Sequence, residues 1–333
     1  MRDRSTSSQK EFDWLNAQAV DRGAGARAAR PFNLLIHPSI GSSPKAVDAM
    51  ALRRSGGRRG IAAASASSAS SSDTNNISVR RRADRILILP GFASSSEPYR
   101  PMKRSLQKRF PFSYVEVLPV RANEWVASTF GGSFDFYINR LDDAVRRLHD
   151  AEPRGQKVAL VGHSAGGWLA RIFLSDRAQY CGRAPYAGHQ YVETLVTLGT
   201  PHLSIEKYPF GRVPERRRGE EGVAMSSASR GSSLCFANEF CRADDPALGD
   251  CRIVSVAGRA VHGASAGWST RASYEATCGA AEVDGDGVTP LASAFAPGSD
   301  EEVTLEGVHH SPKGDRVWYG SQEAVDAWCA HLR

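Results

Sequence analysis

Ser164 lies at the centre of the sequence Gly162-His163-Ser164-Ala165-Gly166. When this pattern joins a strand to a helix, the serine occupies a sharp turn that projects its hydroxyl from the edge of a sheet. Bulky residues two positions before or after the serine would clash at such a turn, which explains the two glycines. The pattern therefore predicts that Ser164 is a nucleophile, and its chemistry would be acyl transfer.

A second stretch, from Gly263 to Gly267 and centred on Ser265, fits the same pattern. The first match has a predicted strand directly before it, residues 157–161, and a predicted helix directly after it, residues 167–174. The second match is separated from the nearest predicted strand by five residues, and the residues after it begin a helix poorly. The context therefore favours Ser164 as the nucleophile and predicts that Ser265 is a loop serine.

A serine hydroxyl needs a base to take its proton. In folds where Gly-x-Ser-x-Gly joins a strand to a helix in this way, the order of the catalytic residues along the chain is serine, acid, histidine. Asp284 and Asp286 lie downstream in a glycine-rich turn. We predict Asp286 as the acid, because it stands directly before Gly-Val-Thr-Pro, with Asp284 as the alternate. A calcium loop would need a glutamate twelve positions from Asp284, but Phe295 stands there, so no metal is expected.

The histidines after Asp286 are His309, His310 and His331. His331 falls in the predicted last helix, whereas His309 and His310 follow the predicted last strand, where a base could reach the nucleophile. The residues alone leave these two as alternatives.

Stabilisation of a tetrahedral intermediate requires backbone donors beside the nucleophile. We predict that one is the N–H of Ala165, directly after the serine. The other is the N–H of Phe92, in the loop that follows the first predicted strand. Since the whole mechanism is supplied by side chains and backbone, no cofactor is expected.

Strands and helices alternate in the pattern that must position these groups. Short apolar runs bounded by Pro or Gly predict buried strands at residues 85–89, 114–118, 157–161, 191–198, 252–257 and 303–305. Apolar residues at three- and four-residue steps predict helices around 137–148, 167–174 and 324–332. The alternation predicts an α/β fold with a mostly parallel sheet covered by helices on both faces. Residues 199–250 break the rhythm and are predicted to be a cap or lid over the active edge.

Residues 1–82 are predicted to be a disordered leader, because they lack apolar periodicity and are rich in Ser, Ala, Gly and Arg. They hold 14 Lys/Arg against 6 Asp/Glu, whereas the rest of the chain holds 28 basic and 30 acidic residues. The basic charge thus belongs to the leader, and it does not indicate nucleic-acid binding by the folded part, residues 83–333. No apolar run is long enough to predict a membrane span.

The leader also resembles a targeting signal. From Met50 to residue 82 there are seven arginines and one acid, a composition that resembles an organelle transit peptide. We therefore expect a start at Met50 and a chloroplast location, with the cytoplasm as the alternative.

Several motifs together resemble lipase-like α/β-hydrolases of plants and algae, related to the GPI inositol-deacylase-like group. The motifs occur in the order Leu-Pro-Gly-Phe92, Gly-His-Ser164-Ala-Gly-Gly, Leu-Gly-Thr-Pro-His202, Asp286-Gly-Val-Thr-Pro and Gly-Val-His-His310-Ser-Pro. The resemblance covers the folded part and implies an α/β-hydrolase fold. The family has Gly-Val-Tyr-His-Ser-Pro at the last motif, which implies that His310 is the base and leaves His309 as the alternate.

These features predict a serine hydrolase that cleaves carboxylic esters through an acyl-enzyme. A cap would shield an acyl chain, which favours an acyl-lipid substrate and peripheral contact with a membrane. Two alternatives are an acyltransferase that uses the same three residues and a non-catalytic receptor with the same fold.

Overall fold

The computed structural model describes residues 36–38, 84–129, 132–151, 155–205 and 232–332. The strands of the main sheet among these residues are β1 (Ile36–Pro38), β2 (Arg85–Leu89), β3 (Tyr114–Val117), β4 (Val158–His163), β5 (Val192–Leu198), β6 (Arg252–Arg259) and β9 (Glu301–Glu306), and a separate two-stranded ribbon is formed by β7 (Val261–His262) and β8 (Asp284–Gly285). The seven strands of the main sheet lie in the order β1-β9-β6-β5-β4-β2-β3. Six of them run parallel, and β1 pairs antiparallel with β9 at one edge.

The central strands owe their continuous apolar sequences to burial on both faces of the sheet. All six residues of β4 are buried, and β5 exposes only part of one residue. One apolar core packs on each face, as expected for a parallel sheet covered by helices. The predicted α/β fold with a mostly parallel sheet is therefore confirmed.

Helices cover the sheet at the positions that the apolar periodicity predicts, and at others. They are α1 (Arg100–Arg109), α2 (Val126–Thr129), α3 (Asp135–Asp150), α4 (Ala165–Leu174), α5 (Ser233–Phe240), α6 (Trp268–Cys278) and α7 (Gln322–Trp328). The apolar face predicted within α3 is buried, and so is the face predicted within α7. Among the described residues, no helix is long and apolar enough to cross a membrane.

One local prediction is wrong: a helix does follow Gly267. Helix α6 begins at Trp268, although its sequence is poor in strong helix formers. Hydroxyl groups within it donate to backbone outside the helix, from Thr270 Oγ1 to Gly287 O at 3.0 Å and from Ser273 Oγ to Val288 O at 2.8 Å. Tertiary contacts therefore override the weak intrinsic propensity.

Two predicted segments are described only in part. Within the predicted leader, Ile36–Pro38 pairs with β9, and the other residues of 1–82 lie outside the described residues. Within the predicted cap, helix α5 belongs to residues 232–250, whereas residues 206–231, which include the charged run at 215–221, also lie outside the described residues.

Candidate active site

Ser164 follows the last residue of β4 and precedes the first residue of α4. Its backbone has φ 53° and ψ −128°, a conformation that non-glycine residues rarely adopt and that costs about 1–3 kcal/mol. Its N–H donates to Leu198 O at 2.9 Å, and Thr200 Oγ1 donates to Ser164 O at 2.8 Å. Hydrogen bonds from the neighbouring strand and from the loop after it therefore hold the strained turn, which leaves the serine partly exposed at the carboxyl edge of the sheet.

The glycines on both sides of Ser164 are required by close backbone packing. A Cβ atom at Gly162 would lie 2.6 Å from Gly167 Cα, and one at Gly166 would lie 2.5 Å from Leu89 O. These neighbours are backbone atoms, which cannot move aside as a flexible side chain can. The turn therefore tolerates no side chain at either position.

Gly166→Ala is expected to destabilise the protein by about 1–3 kcal/mol, the usual range for overpacking. The opposite sign would be expected for a glycine in an open helix, where alanine gains about 1 kcal/mol in helix propensity. The matched control is Gly267→Ala, because a Cβ atom there would meet nothing within 4 Å. Equal free energies of unfolding for the two variants, measured by urea denaturation, would contradict the close packing at Gly166.

Asp286 is a buried carboxylate with four hydrogen-bond donors. Its Oδ1 atom accepts from the backbone N–H groups of Val288 at 3.0 Å and Thr289 at 2.7 Å. Its Oδ2 atom accepts from the Tyr319 hydroxyl at 2.9 Å and lies 2.8 Å from His310 Nδ1. The donors on Oδ1 and Oδ2 fix the rotation of the carboxylate and aim one oxygen at the imidazole.

His310 is buried beside this carboxylate and is held by its backbone as well. Its N–H donates to Asp286 O at 2.9 Å, so the two residues are joined through both main chain and side chain. Since a carboxylate only accepts, the imidazole carries a proton on Nδ1, and in the neutral ring Nε2 is left as an acceptor. The ring centroid lies 4.7 Å from that of His163, the residue directly before Ser164.

The alternates occupy different places. Asp284 is half-buried in the ribbon strand β8, two residues before Asp286. The carboxylate that contacts His310 Nδ1 belongs to Asp286. His309 is half-buried, and its N–H donates to Val317 O at 2.8 Å. Burial, followed by the charge of Arg316, lowers the pKa of His309. The structure therefore joins the carboxylate of Asp286, and not that of Asp284, to His310.

The loop after β2 lies directly against Ser164. A Cβ atom at Gly91 would lie 2.7 Å from Ser164 Cβ and 3.3 Å from its Oγ. The next residue, Phe92, packs its ring on Trp125, with centroids 5.4 Å apart, and Ala165 begins helix α4 behind the serine. The two segments predicted to supply the backbone donors are therefore both adjacent to Ser164.

A buried arginine of helix α4 connects the site to the predicted cap. Arg171 donates from Nε to Cys241 O at 2.9 Å, from Nη2 to Ala237 O at 3.1 Å and from Nη1 to Asn238 Oδ1 at 3.0 Å. Its Nη1 also lies 3.2 Å from His202 Nδ1. Burial lowers the pKa of Arg171 to about 10, so the guanidinium stays charged at neutral pH. It holds the carboxyl end of α5 close to the helix that follows the nucleophile.

Two buried histidines predict how stability depends on pH. Burial, followed by the charge of His310, lowers the pKa of His163 from 6.5 to about 3, and burial, followed by Arg171, lowers that of His202 well below 6.5. Both rings stay neutral in the folded state, so between about pH 6.5 and 3 the unfolded chain binds more protons. We therefore expect the free energy of unfolding to fall as pH falls below 6.5, by about 1.4 kcal/mol per pH unit for each histidine.

Urea denaturation between pH 7.5 and 4.5 measures this dependence. His202→Gln is expected to remove the contribution of one histidine from the slope. Identical slopes for wild type and variant would mean that His202 takes up its proton in the folded state.

A cleft of about 830 Å³ opens beside the histidine and carboxylate. Asp286, His309 and His310 line it, together with Lys313 and Arg316. Helix α6 contributes Ser269, Thr270 and Ser273 to its wall. The cleft therefore exposes the His310 and Asp286 side of the site to a ligand, and Ser164 is not among the residues that line it.

Sequence reasoning missed the residues that support this site. Tyr99, Tyr319 and Arg171 belong to none of the motifs, whereas His163 stands within the Gly-x-Ser-x-Gly sequence without a predicted role. Their contacts join segments far apart in the chain, so no local spacing indicates them.

Comparison with known proteins yields one family match. A family model described as PGAP1-like alpha/beta domain matches residues 86–207, which include Ser164. This match confirms the resemblance to the GPI inositol-deacylase-like group. No curated protein matches the chain.

Three solved structures of hydrolases are similar to this chain at low sequence identity. A lipase from Bacillus licheniformis is 16% identical over 75% of this chain and 92% of that chain, with a TM-score of 0.46. A metagenomic carboxyl esterase is 12% identical over 75% of each chain, with a TM-score of 0.44. A phospholipase from Legionella pneumophila is 16% identical over 74% of this chain and 57% of that chain, with a TM-score of 0.41.

Proposed function

We infer that this chain, an α/β-hydrolase-fold enzyme with a PGAP1-like α/β domain over residues 86–207, hydrolyses carboxylic esters with Ser164, Asp286 and His310 as its catalytic triad. The observation that carries the assignment is the 2.8 Å contact between His310 Nδ1 and Asp286 Oδ2 at the sheet edge where Ser164 occupies its strained turn. The contact orients the imidazole and leaves Nε2 free to accept a proton.

The first half-reaction forms an acyl-enzyme. Ser164 Oγ attacks the ester carbonyl carbon while His310 Nε2 takes the hydroxyl proton, and Asp286 stabilises the resulting imidazolium. The carbonyl oxygen becomes an oxyanion that accepts hydrogen bonds from the N–H groups of Phe92 and Ala165. When the tetrahedral intermediate collapses, the C–O bond to the alcohol breaks and His310 returns the proton to the leaving oxygen.

The second half-reaction restores the enzyme. His310 takes a proton from water, the resulting hydroxide attacks the acyl carbon, and the bond to Ser164 Oγ breaks as the serine recovers its proton. An alcohol in place of water would give a new ester. The same residues therefore serve an acyltransferase, and the acceptor alone separates the two activities.

An acyl lipid is the substrate class that we propose. Large apolar side chains are exposed at and near helix α6: Trp268, its first residue, is 64% exposed, and Ile205 is 58% exposed, with Leu203, two residues before Ile205, 43% exposed. Ile205 N–H donates to Thr277 O at 2.9 Å, which places it at the other end of the same helix. Such side chains favour peripheral contact with a lipid surface, and sedimentation with phosphatidylcholine vesicles tests it.

A fluorophosphonate probe tests the nucleophile, because it reacts only with an activated serine. We expect labelling of the wild type at Ser164, identified by mass spectrometry of the labelled peptide. The matched control is Ser265→Ala, which alters the other Gly-x-Ser-x-Gly sequence and should label as the wild type does. A folded wild-type protein that fails to label would leave the non-catalytic receptor as the better assignment. Turnover of a lipid-ester panel, with water or an alcohol as acceptor, separates hydrolase from acyltransferase.

The plastid location remains a proposal that rests on the composition of residues 50–82. A fluorescent protein fused after residue 82 tests whether these residues direct a protein to the plastid. A diffuse cytoplasmic signal would contradict the proposal.

A further inference from the structure

A buried chain of hydrogen bonds connects three segments of the site. Gly91 N–H donates to the Tyr99 hydroxyl at 2.8 Å, and this hydroxyl lies 2.7 Å from His163 Nδ1. On the other side of the ring, His163 Nε2 lies 2.8 Å from His310 O. The hydrogen bonds thus begin in the loop after β2, pass through His163, the residue before Ser164, and end on His310, the residue proposed as the base.

The carbonyl oxygen of His310, at one end of this series of hydrogen bonds, determines the position of every proton in it. Because a carbonyl oxygen only accepts, His163 Nε2 must carry a proton and donate it to His310 O. The neutral imidazole then has a bare Nδ1, so the Tyr99 hydroxyl donates to Nδ1 while accepting from Gly91 N–H. One tautomer of His163 and one orientation of the Tyr99 hydroxyl satisfy all three bonds.

Burial keeps both groups in these protonation states. It lowers the pKa of His163 to about 3, with the charge of His310 as the next cause, and it raises the pKa of Tyr99 to about 12. Rings surround His163, with centroids 5.5 Å away for Tyr99, 6.0 Å for Trp318 and 5.8 Å for Tyr319. The packing prevents the imidazole from turning away from its two partners.

We propose that Tyr99 and His163 are positioning residues that hold the oxyanion loop, the nucleophile and the base in one arrangement. Ser164, Gly91 and His310 come from the ends of three different strands or the loops after them, so no local structure sets their spacing. The three hydrogen bonds join Gly91, through Tyr99, to His163, the residue directly before Ser164, and join His163 to His310. This inference rests on the proposed function of Ser164 and His310.

A neutral His163 also suits the charge that develops during the reaction. When His310 takes the serine proton it becomes an imidazolium, with its ring 4.7 Å from that of His163. A second positive charge at that distance in a buried site would oppose the transfer. Burial keeps the His163 ring neutral, and the Tyr99 hydroxyl satisfies the bare Nδ1 of that neutral ring.

Tyr99→Phe tests the first link. The ring stays, but Gly91 N–H and His163 Nδ1 lose their common partner. We expect kcat for p-nitrophenyl butyrate to fall about tenfold, because small displacements of reacting groups are costly, while KM changes less than about twofold. The matched control is Tyr191→Phe, which removes a hydroxyl that accepts from Arg146 at the opposite end of β5 and should leave kcat unchanged. A kcat for Tyr99→Phe equal to that of the control would overturn the proposal.

Two substitutions at His163 separate the hydrogen bond from the packing. The side chain of His163→Gln can still donate to His310 O, whereas that of His163→Leu fills a similar volume without a donor. We expect His163→Leu to reduce kcat about tenfold below His163→Gln, since only glutamine keeps the link. Equal kcat values in the two variants would overturn the proposal. If His163→Leu does not fold by circular dichroism, the comparison of Tyr99→Phe with Tyr191→Phe decides.

The rate of fluorophosphonate labelling distinguishes this failure from failure of the proposed function. A wild type that labels at Ser164 establishes the nucleophile. Variants of Tyr99 and His163 that then label as fast as the wild type would overturn the positioning role alone. A wild type that does not label would remove the proposed function and this inference together.

Discussion

Ser164→Ala is expected to abolish ester hydrolysis, with a loss of kcat of about 10⁴-fold or more, as for other triad serines. The reason is that no other nucleophile replaces the hydroxyl at the strained turn. Stability should change little, because the backbone bonds of residue 164 to Leu198 and from Thr200 do not involve the side-chain hydroxyl. Hydrolysis of p-nitrophenyl butyrate and urea denaturation measure the two quantities.

Ser164→Gly is the informative companion variant. It should lose activity to the same extent, yet it should gain about 1 kcal/mol in the free energy of unfolding, because glycine adopts φ 53° without strain. The expected gain is the backbone strain relieved at residue 164 minus the larger conformational entropy that glycine loses on folding. Esterase activity near the wild-type level in both variants would show that another residue attacks the ester, and the nucleophile assignment would then be wrong.

Asp286→Asn is expected to reduce kcat by about 10³–10⁴-fold, because asparagine would hold the His310 imidazole in the tautomer that cannot act as a base. The amide oxygen of the introduced side chain would take the place of Oδ1, where it accepts from Val288 and Thr289 N–H. The amide NH₂ would then face His310, so Nδ1 would have to accept and Nε2 would carry the proton. An imidazole protonated on Nε2 cannot take the proton of Ser164.

Asp284→Asn is the matched control two residues away. Its carboxylate is not the one that contacts His310, so we expect kcat to stay within about threefold of the wild type. Circular dichroism and urea denaturation establish that both variants fold. Comparable losses from the two substitutions would contradict the assignment of Asp286 as the acid.

The fold was largely predictable because its signals are local. Each central strand is an apolar run that must be buried on both faces, and the helix face in Asp135–Asp150 repeats every three or four residues. Helix α6 was missed because its stability comes from bonds to Gly287 and Val288, which lie beyond the helix. Local propensity contains no information about such partners.

The turn that carries Ser164 could also be predicted from the sequence, since Ser164, its two glycines, the strand before it and the helix after it are contiguous in the chain. Five adjacent residues specify a turn whose steric demands are local. By contrast, the choice between Asp284 and Asp286 depends on which side chain points toward the histidine in a turn between distant segments. The sequence shows both acids between Ser164 and the histidines, but it does not show which side chain points toward the imidazole.

The sequence by itself determined the strand–turn–helix around Ser164, because backbone sterics at glycine act over a few residues. Only the tertiary structure decided which carboxylate meets His310 and brought Tyr99 against His163. Those contacts join residues 24 and 64 positions apart, and their geometry is set by how the ends of separate strands pack together. Local steric rules can be read from neighbouring residues, whereas hydrogen bonds between distant segments exist only after the chain has folded.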